Sequence, residues 1–470
     1  MNKLVEICAS VMIPRGEGFY TACVDNVDYL VVKGRDFSSF DIIVSDSDIA
    51  ICPQNNKNAK LLRGYIDYLN PVSRKGHPYT IGLGDRLGCA GEGHLKLMKG
   101  KKVFPVLAQQ SIRELNLTGR TYDDVLSSAM WAVFNEGYTS GFGADGDHLK
   151  QPFEIEYAIA CGYSMITLDC SEHIDNTIVK LSDNELKAKY EEISPEIREK
   201  YEKKYLGECD CGVSFDMRSL MQSVLIYSDA IEYTHEIYER FIKPNDIDFE
   251  MSIDETATPT SPENHYFLAS ELYSRGIECE TLAPRFCGEF QKGIDYIGDV
   301  LEFEKEYRTH DEIARHFGYR LSVHSGSDKF SVFPIVRENS SCGVHVKTAG
   351  TNWLEALRVI AICEPSLLRE IYIYAVENLP KAQVYYHIRS NKEDAPSIEN
   401  ISDSELRRLL DADDTRQILH ITYGLILNEK KDGEYVFRDR LYDCLKRNRD
   451  SYSEGLIKHI GRHLALAFGE

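Results

Sequence analysis

From Tyr79 onward, short apolar runs alternate with polar clusters and with longer stretches of helical periodicity. The runs TIGL, FPVLAQ, a weak GFGAD, SMITLD, DFEMSID, ECETLA, RLSVH and GVHVK read as eight strands. Between them, YDDVLSSAMWAVFNEGY, PENHYFLASELYSRG, DEIARHFG and NWLEALRVIAI read as helices. Helix starts are marked by Thr121 with Asp124, Ser182 with Glu185, Thr309 with Glu312, Ser402 with Glu405, and Ser261 ahead of Pro262 and Glu263. Repeated β-then-α units over residues 76–380 predict an α/β fold, a (β/α)8 TIM-like barrel. A doubly wound open sheet is the alternative.

The flanks read differently. Residues 1–75 hold short β-like runs (FYTACVDN, DYLVVKG, FDIIVSD, DIAIC) broken by Gly, Asp, Asn and Ser, which predicts a small β-rich or mixed domain. The opening MNKLVEICASVMIPRGEG lacks a clear cleavage site and reads as a strand rather than a signal peptide. Within the barrel, residues 172–245 form a long helical insertion. Its first half, SDNELKAKYEEISPEIREKYEKKY, is so charged that it predicts a solvated surface helix, with a lid over the barrel mouth as the other reading. Residues 381–470 read as a helical C-terminal extension.

Charge narrows the function. The 470 residues carry 75 acidic and 54 basic side chains, a net of -21, which excludes a nucleic-acid binder that relies on bulk positive charge. No run of 18 apolar residues occurs, so no transmembrane helix and no membrane partner is expected. The 13 scattered cysteines fit reduced thiols in a cytoplasm, and Cys209 with Cys211 lack the second pair that a zinc knuckle needs. A homo-oligomer is compatible with the sequence, which fixes no stoichiometry.

Strand parity then points to a site. In DFEMSIDET, Phe249, Met251 and Ile253 form the apolar set that faces the helices, so Glu250, Ser252 and Asp254 face the axis. The same parity turns Ser322 and His324, His345 and Lys347, and Thr167 and Asp169 inward, while ADGDHLK brings Asp145, Asp147 and His148 to the mouth. Carboxylates and imidazoles at the C-terminal ends of barrel strands suit a divalent metal, zinc first and manganese second. Taken singly, each of these residues could equally be a satisfied core polar group. Donors and cations join them: Gln109, Ser111 and Arg113 after the second strand, Arg285 after the sixth, and Ser325 to Lys329 after the seventh, the last an expected anion cradle. The glycines of GLGDRLG suggest a dinucleotide turn, but CAGEGH is a poor helix start and no acidic residue ends a second strand. No NAD site is expected there, and the turn instead places Asp85 and Arg86 at the mouth.

The stretches GDRLG (84–88), QQSIRE (109–114), GFGADGDHLK (141–150), SIDETATPT (252–260), LAPRFCGEFQKGIDYIGD (282–299), HSGSDKF (324–330) and HVKTAGT (345–351) resemble the tagaturonate/fructuronate epimerase family of hexuronate catabolism. The resemblance implies a metal-dependent isomerase acting on a sugar acid, with Asp147, His148, Glu250, Asp254, His324, His345 and Lys347 in its site. We expect His148, Glu250, His324 and His345 to hold the metal, and Asp147, Asp254 and Lys347 to move protons. Asp85, Arg86, Gln109, Ser111, Arg113, Asp169, Arg285, Ser325 and Lys329 are expected to contact substrate. The inverted carbon of such ketouronates is β to the ketone, so simple enolisation leaves it untouched; retro-aldol cleavage and reclosure is favoured over direct removal of the carbon-bound proton, which needs unusual activation. A metal-dependent aldolase that releases the fragments, and a non-catalytic sugar-acid-binding barrel, are the competing readings.

Overall fold

All eight expected strands form and close on themselves. They are β1 (Tyr79–Leu83), β2 (Phe104–Ser111), β3 (Gly143–Leu149), β4 (Met165–Asp169), β5 (Asp248–Ser252), β6 (Thr281–Ala283), β7 (Arg320–Val323) and β8 (Val344–Thr348). In the computed structural model, which describes residues 3–399 and 401–470, every neighbouring pair is parallel and β8 pairs with β1 to seal the barrel. The open-sheet alternative is thereby excluded. Register brings Glu250 opposite Thr167 and Thr281, and His345 opposite Thr80 and Ser322.

Local signals account for most of the helices between the strands. Tyr122–Glu136 starts with the expected box, in which the Thr121 N–H donates to the Asp124 carboxylate at 2.8 Å. Pro262–Ser274 starts with Ser261 as cap. The Thr309–Glu312 pair is not a start: both lie inside Val300–Phe317, whose cap is Asp299. Phe303, Tyr307, His310, Ile313 and Ala314 continue one buried stripe through that point, and the stripe outweighs a capping pair on the exposed side.

Two further expectations change. Lys3–Val11 is a helix, not a strand, because Val5 and Cys8 fall one turn apart and pack on Ala22, Val31, Ile49 and Ile51. That sheet is antiparallel and five-stranded, and its strands lie between Ile13 and Pro53. In the insertion, the charged segment breaks at Pro195 into Asp183–Glu191 and Pro195–Tyr205. It is not merely solvated: Leu186, Tyr190, Tyr201 and Tyr205 are buried, and Tyr205 donates to Glu271 at 2.6 Å. Among the described residues, none from 172–245 lines the cavity at the barrel mouth.

The C-terminal helices, with Thr351–Cys363 and Pro365–Ala382, enclose a second core around Trp353, Leu357, Ile371, Ile418 and Tyr423. Asp413–Asn428 of this core delivers His420 to the barrel mouth and sets Arg416 on the Gly293 carbonyl. No helix of the described residues is long and apolar enough to cross a membrane.

The parity of β5 is open to test. Phe249 is 1% exposed and packs against Tyr238 on the helix side. Phe249→Ala should lower stability by about 3–5 kcal/mol in urea unfolding. A loss below about 1 kcal/mol would contradict its burial between barrel and helices.

Candidate active site

The chemistry begins with one buried cation. Lys347, on β8, sends its ammonium across the barrel to Asp145 (2.8 Å), Asp147 (2.6 Å), Glu250 (2.8 Å) and the Thr167 hydroxyl (2.7 Å). Burial opposes the charge on Lys347, but the three carboxylates outweigh it and raise its pKa. Lys347 is therefore held as an ammonium. The carboxylates divide in turn. Burial leads for Asp145 and lifts it to about 6. For Asp147 and Glu250, burial pushes up but the Lys347 charge and neighbouring imidazoles prevail and lower both.

Glu250 is locked on every side. Thr281 donates to it, the Arg74 guanidinium lies 3.6 Å away, and His324 Nε2 is 2.7 Å from its other oxygen. Arg74 rises from the loop before β1 and is 1% exposed. His345 lies deeper, with Nδ1 on the Thr80 hydroxyl at 2.7 Å, and burial followed by the Arg74 charge holds its pKa well below the usual range.

Above this layer, His148, Asp254 and His324 each offer one ligand atom, all within 4.8 Å of one another. The two imidazole rings sit 4.9 Å apart, and His324 Nδ1 faces Asp254 at 3.2 Å. Both Nδ1 atoms are buried without a hydrogen-bond partner. His148 Nδ1 faces Asp169 at 3.5 Å and His324 Nδ1 faces Asp254, and two such imidazole nitrogens with carboxylates at hand are a donor set that fits a divalent cation. Without a cation, burial works against a charged His148, but Asp147, Asp169 and Asp254 outweigh it and raise its pKa to about 10. His148 adopts a left-handed backbone (φ 52°), which turns its ring into this cluster.

These groups open into a cavity of about 410 Å³ lined by Arg86, Gln109, Ser111, Arg113, Asp147, His148, Asp169, Asp254, His324, Ser325 and Lys347 among others. Gln109 donates to Asp147 at 3.0 Å, and Ser111 caps Ile112–Thr118. Arg86 pairs with Glu114 at 2.8 Å and stacks on Tyr423, while Arg113 meets Glu255 at 3.2 Å. Of the four ligands expected from sequence, His148 and His324 come together, whereas Glu250 and His345 lie outside that group and Asp254 joins it.

Three expected substrate contacts lie elsewhere. Asp85 accepts the N–H groups of Leu87, Gly88 and Ala90 and shapes the turn instead of lining the cavity. Arg285 lines an adjoining chamber of about 420 Å³ and donates to the Thr256 carbonyl. The Lys329 ammonium is spent on three carbonyls, of Gln291 (2.8 Å), Ile294 (2.6 Å) and Ser327 (3.0 Å). The expected anion cradle is also committed: Gly326 N–H donates to the Lys347 carbonyl and Asp328 N–H to His463, each at 3.0 Å.

Sequence reasoning missed Lys150, Glu255, Lys292, Tyr386 and His420, all of which line the cavity. Lys292 sits inside the 282–299 motif and could have been found there. Gly350, in the last motif, hinted at a close neighbour, since any side chain there would collide with the His420 ring.

Similarity to known proteins converges with this geometry. The family model described as tagaturonate epimerase (UxaE) matches residues 17–467. The tagaturonate/fructuronate epimerase of Thermotoga maritima is 42% identical over 425 residues, which cover 89% of this chain and 86% of the relative. A glycerol complex of the fructuronate-tagaturonate epimerase UxaE from Cohnella laeviribosi superposes with a TM-score of 0.95 at 44% identity, covering 99% of this chain and 98% of that one. The native crystal structure of that enzyme gives the same TM-score, identity and coverage. A family match over nearly the whole chain, joined to a closed barrel with an ionisable mouth, leaves one conclusion: the protein belongs to the tagaturonate epimerase family, a family of isomerases.

Proposed function

We propose that the protein interconverts D-tagaturonate and D-fructuronate with a divalent metal held by His148, Asp254 and His324. The observation that carries this reading is the group of His148, Asp254 and His324, whose ligand atoms lie within 4.8 Å of one another, above the Lys347 ammonium and its three carboxylates. The relatives' names supply the substrate pair. The 13 cysteines, all free thiols, support a reducing, cytoplasmic setting.

The two ketouronates differ at the carbon β to the ketone, whose hydrogen the carbonyl does not acidify. Direct removal of that hydrogen needs unusual activation, and the favoured route is through the carbon–carbon bond. Asp147 reaches the cavity and is kept ionised by Lys347, so it takes the proton of the β-hydroxyl. The bond between the α and β carbons breaks and its electron pair moves toward the ketone oxygen, leaving an enediolate and an aldehyde. The aldehyde turns its other face, the bond re-forms, and Asp147 returns the proton to the new alkoxide. No fragment leaves the site. Lys347 does not act as the base, because its proton is held by three carboxylates. It supplies fixed positive charge to the carboxylate and the developing oxyanion. His148, Asp254 and His324 would hold a divalent cation, which would supply Lewis acidity for the ketone.

Three measurements test this. NMR of the metal-loaded protein with D-tagaturonate should show D-fructuronate forming without loss of mass and without solvent deuterium at the inverted carbon. Deuterium wash-in at that carbon would rule out the retro-aldol route, and release of two three-carbon products would make the protein an aldolase. Asp147→Asn should reduce kcat by about 10²–10⁴ while the thermal melt stays close to wild type; near-normal turnover rejects Asp147 as the proton carrier. His148→Ala and His324→Ala should each lose bound metal in elemental analysis after dialysis, and retained metal places the ion elsewhere.

A further inference from the structure

Five lysine or arginine side chains line the central cavity: Arg86, Arg113, Lys150, Lys292 and Lys347. Four of them already face a carboxylate. Arg86 has Glu114, Arg113 has Glu255, Lys150 has Asp169 at 3.4 Å, and Lys347 has Asp145, Asp147 and Glu250. Lys292 is the exception. Among the described residues, no carboxylate lies within ion-pair distance of its ammonium, and its side chain donates to the Ser325 hydroxyl at 2.9 Å. It stands on the wall shared by the central cavity and the adjoining chamber.

Its placement is enforced from both sides. Lys329 grips the carbonyls of Gln291 and Ile294, and Arg416 donates to the Gly293 carbonyl at 2.7 Å. Arg416 also pairs with Asp328 at 2.5 Å, which ties the segment to the loop that carries Ser325. Ser325 itself is in the left-handed region (φ 49°). Two cations are thus committed to bracing the backbone around a third that faces the cavity unpaired. Lys292 is half-buried, and an ammonium partly withdrawn from water without a counter-charge is relieved when an anion binds.

We infer that Lys292, with the Ser325 hydroxyl, seats the carboxylate of the substrate. This rests on the ketouronate reading, in which the carboxylate is the one charge the substrate carries. It also gives Lys329 and Arg416 their place: they position Lys292 and do not themselves touch the substrate.

The test is steady-state kinetics with D-tagaturonate on wild type, Lys292→Met and Lys292→Arg, with bound metal and thermal melts compared. Lys292→Met should raise KM by at least about tenfold, the scale of a lost charge-assisted hydrogen bond, with kcat within about threefold. Lys292→Arg should recover most of that loss, because it keeps the charge. An unchanged KM in Lys292→Met overturns the proposal, as does Lys292→Arg being as impaired as Lys292→Met, which would mark a role in packing. Wild-type protein that fails to convert D-tagaturonate rejects the ketouronate reading itself, a result separable from either variant outcome.

Discussion

The ion cluster of Lys347 with Asp145, Asp147 and Glu250 is the constraint on which the site depends. Three carboxylates in a barrel interior would repel one another and lose their hydration, and a single ammonium with Thr167 and Thr281 offsets both effects. The cluster needs a closed sheet, because its members come from β3, β5 and β8, which meet only across the axis. Arg74 enters from the opposite end and faces Glu250, so the loop before β1 is part of the same balance of charge. Through Glu250 the cluster reaches His324, and through Asp147 it reaches the cavity.

A second element completes the site from outside the barrel. The C-terminal region brings His420 and Tyr386 to the mouth and sets Arg416 on the Gly293 carbonyl behind it. The Arg416–Asp328 pair, with His459 at 2.8 Å from the same carboxylate, fastens the loop after β7 to two of these helices. Tyr423 carries the Arg86 guanidinium on its ring, and the close approach of Gly350 to His420 brings the end of β8 against the same helix. The barrel thus supplies the ionisable centre, and the helical region fixes the shape of the opening above it.

Much of this was legible because a strand alternates its side chains. With helices outside, polar residues between Phe249, Met251 and Ile253 could only face the axis, and parity alone placed Glu250, Asp254, His324, His345, Thr167 and Lys347 there. Lys329 was misjudged because a lysine's sequence position does not say whether its ammonium meets solvent, an anion or carbonyls. The capping pair at Thr309 and Glu312 was a local signal overridden by a longer buried stripe. Lys3–Val11 was misread because a short apolar run supports either period until something packs against it.

Read alone, the residues carried a barrel with an open sheet as its alternative, four strands whose polar side chains share one face, and motifs sufficient to mark the family. Those properties follow from local periodicity, which acts over a few residues. Folding then divides that inventory. It grouped Asp254 with His148 and His324, left Glu250 on the far nitrogen of His324, held Lys347 as a charged group, spent Lys329 on backbone carbonyls and left Lys292 facing the cavity unpaired. A charged group's role depends on which counter-charges stand within a few ångströms. In a closed barrel those neighbours come from strands 200 residues apart, as Lys347 and Asp147 do.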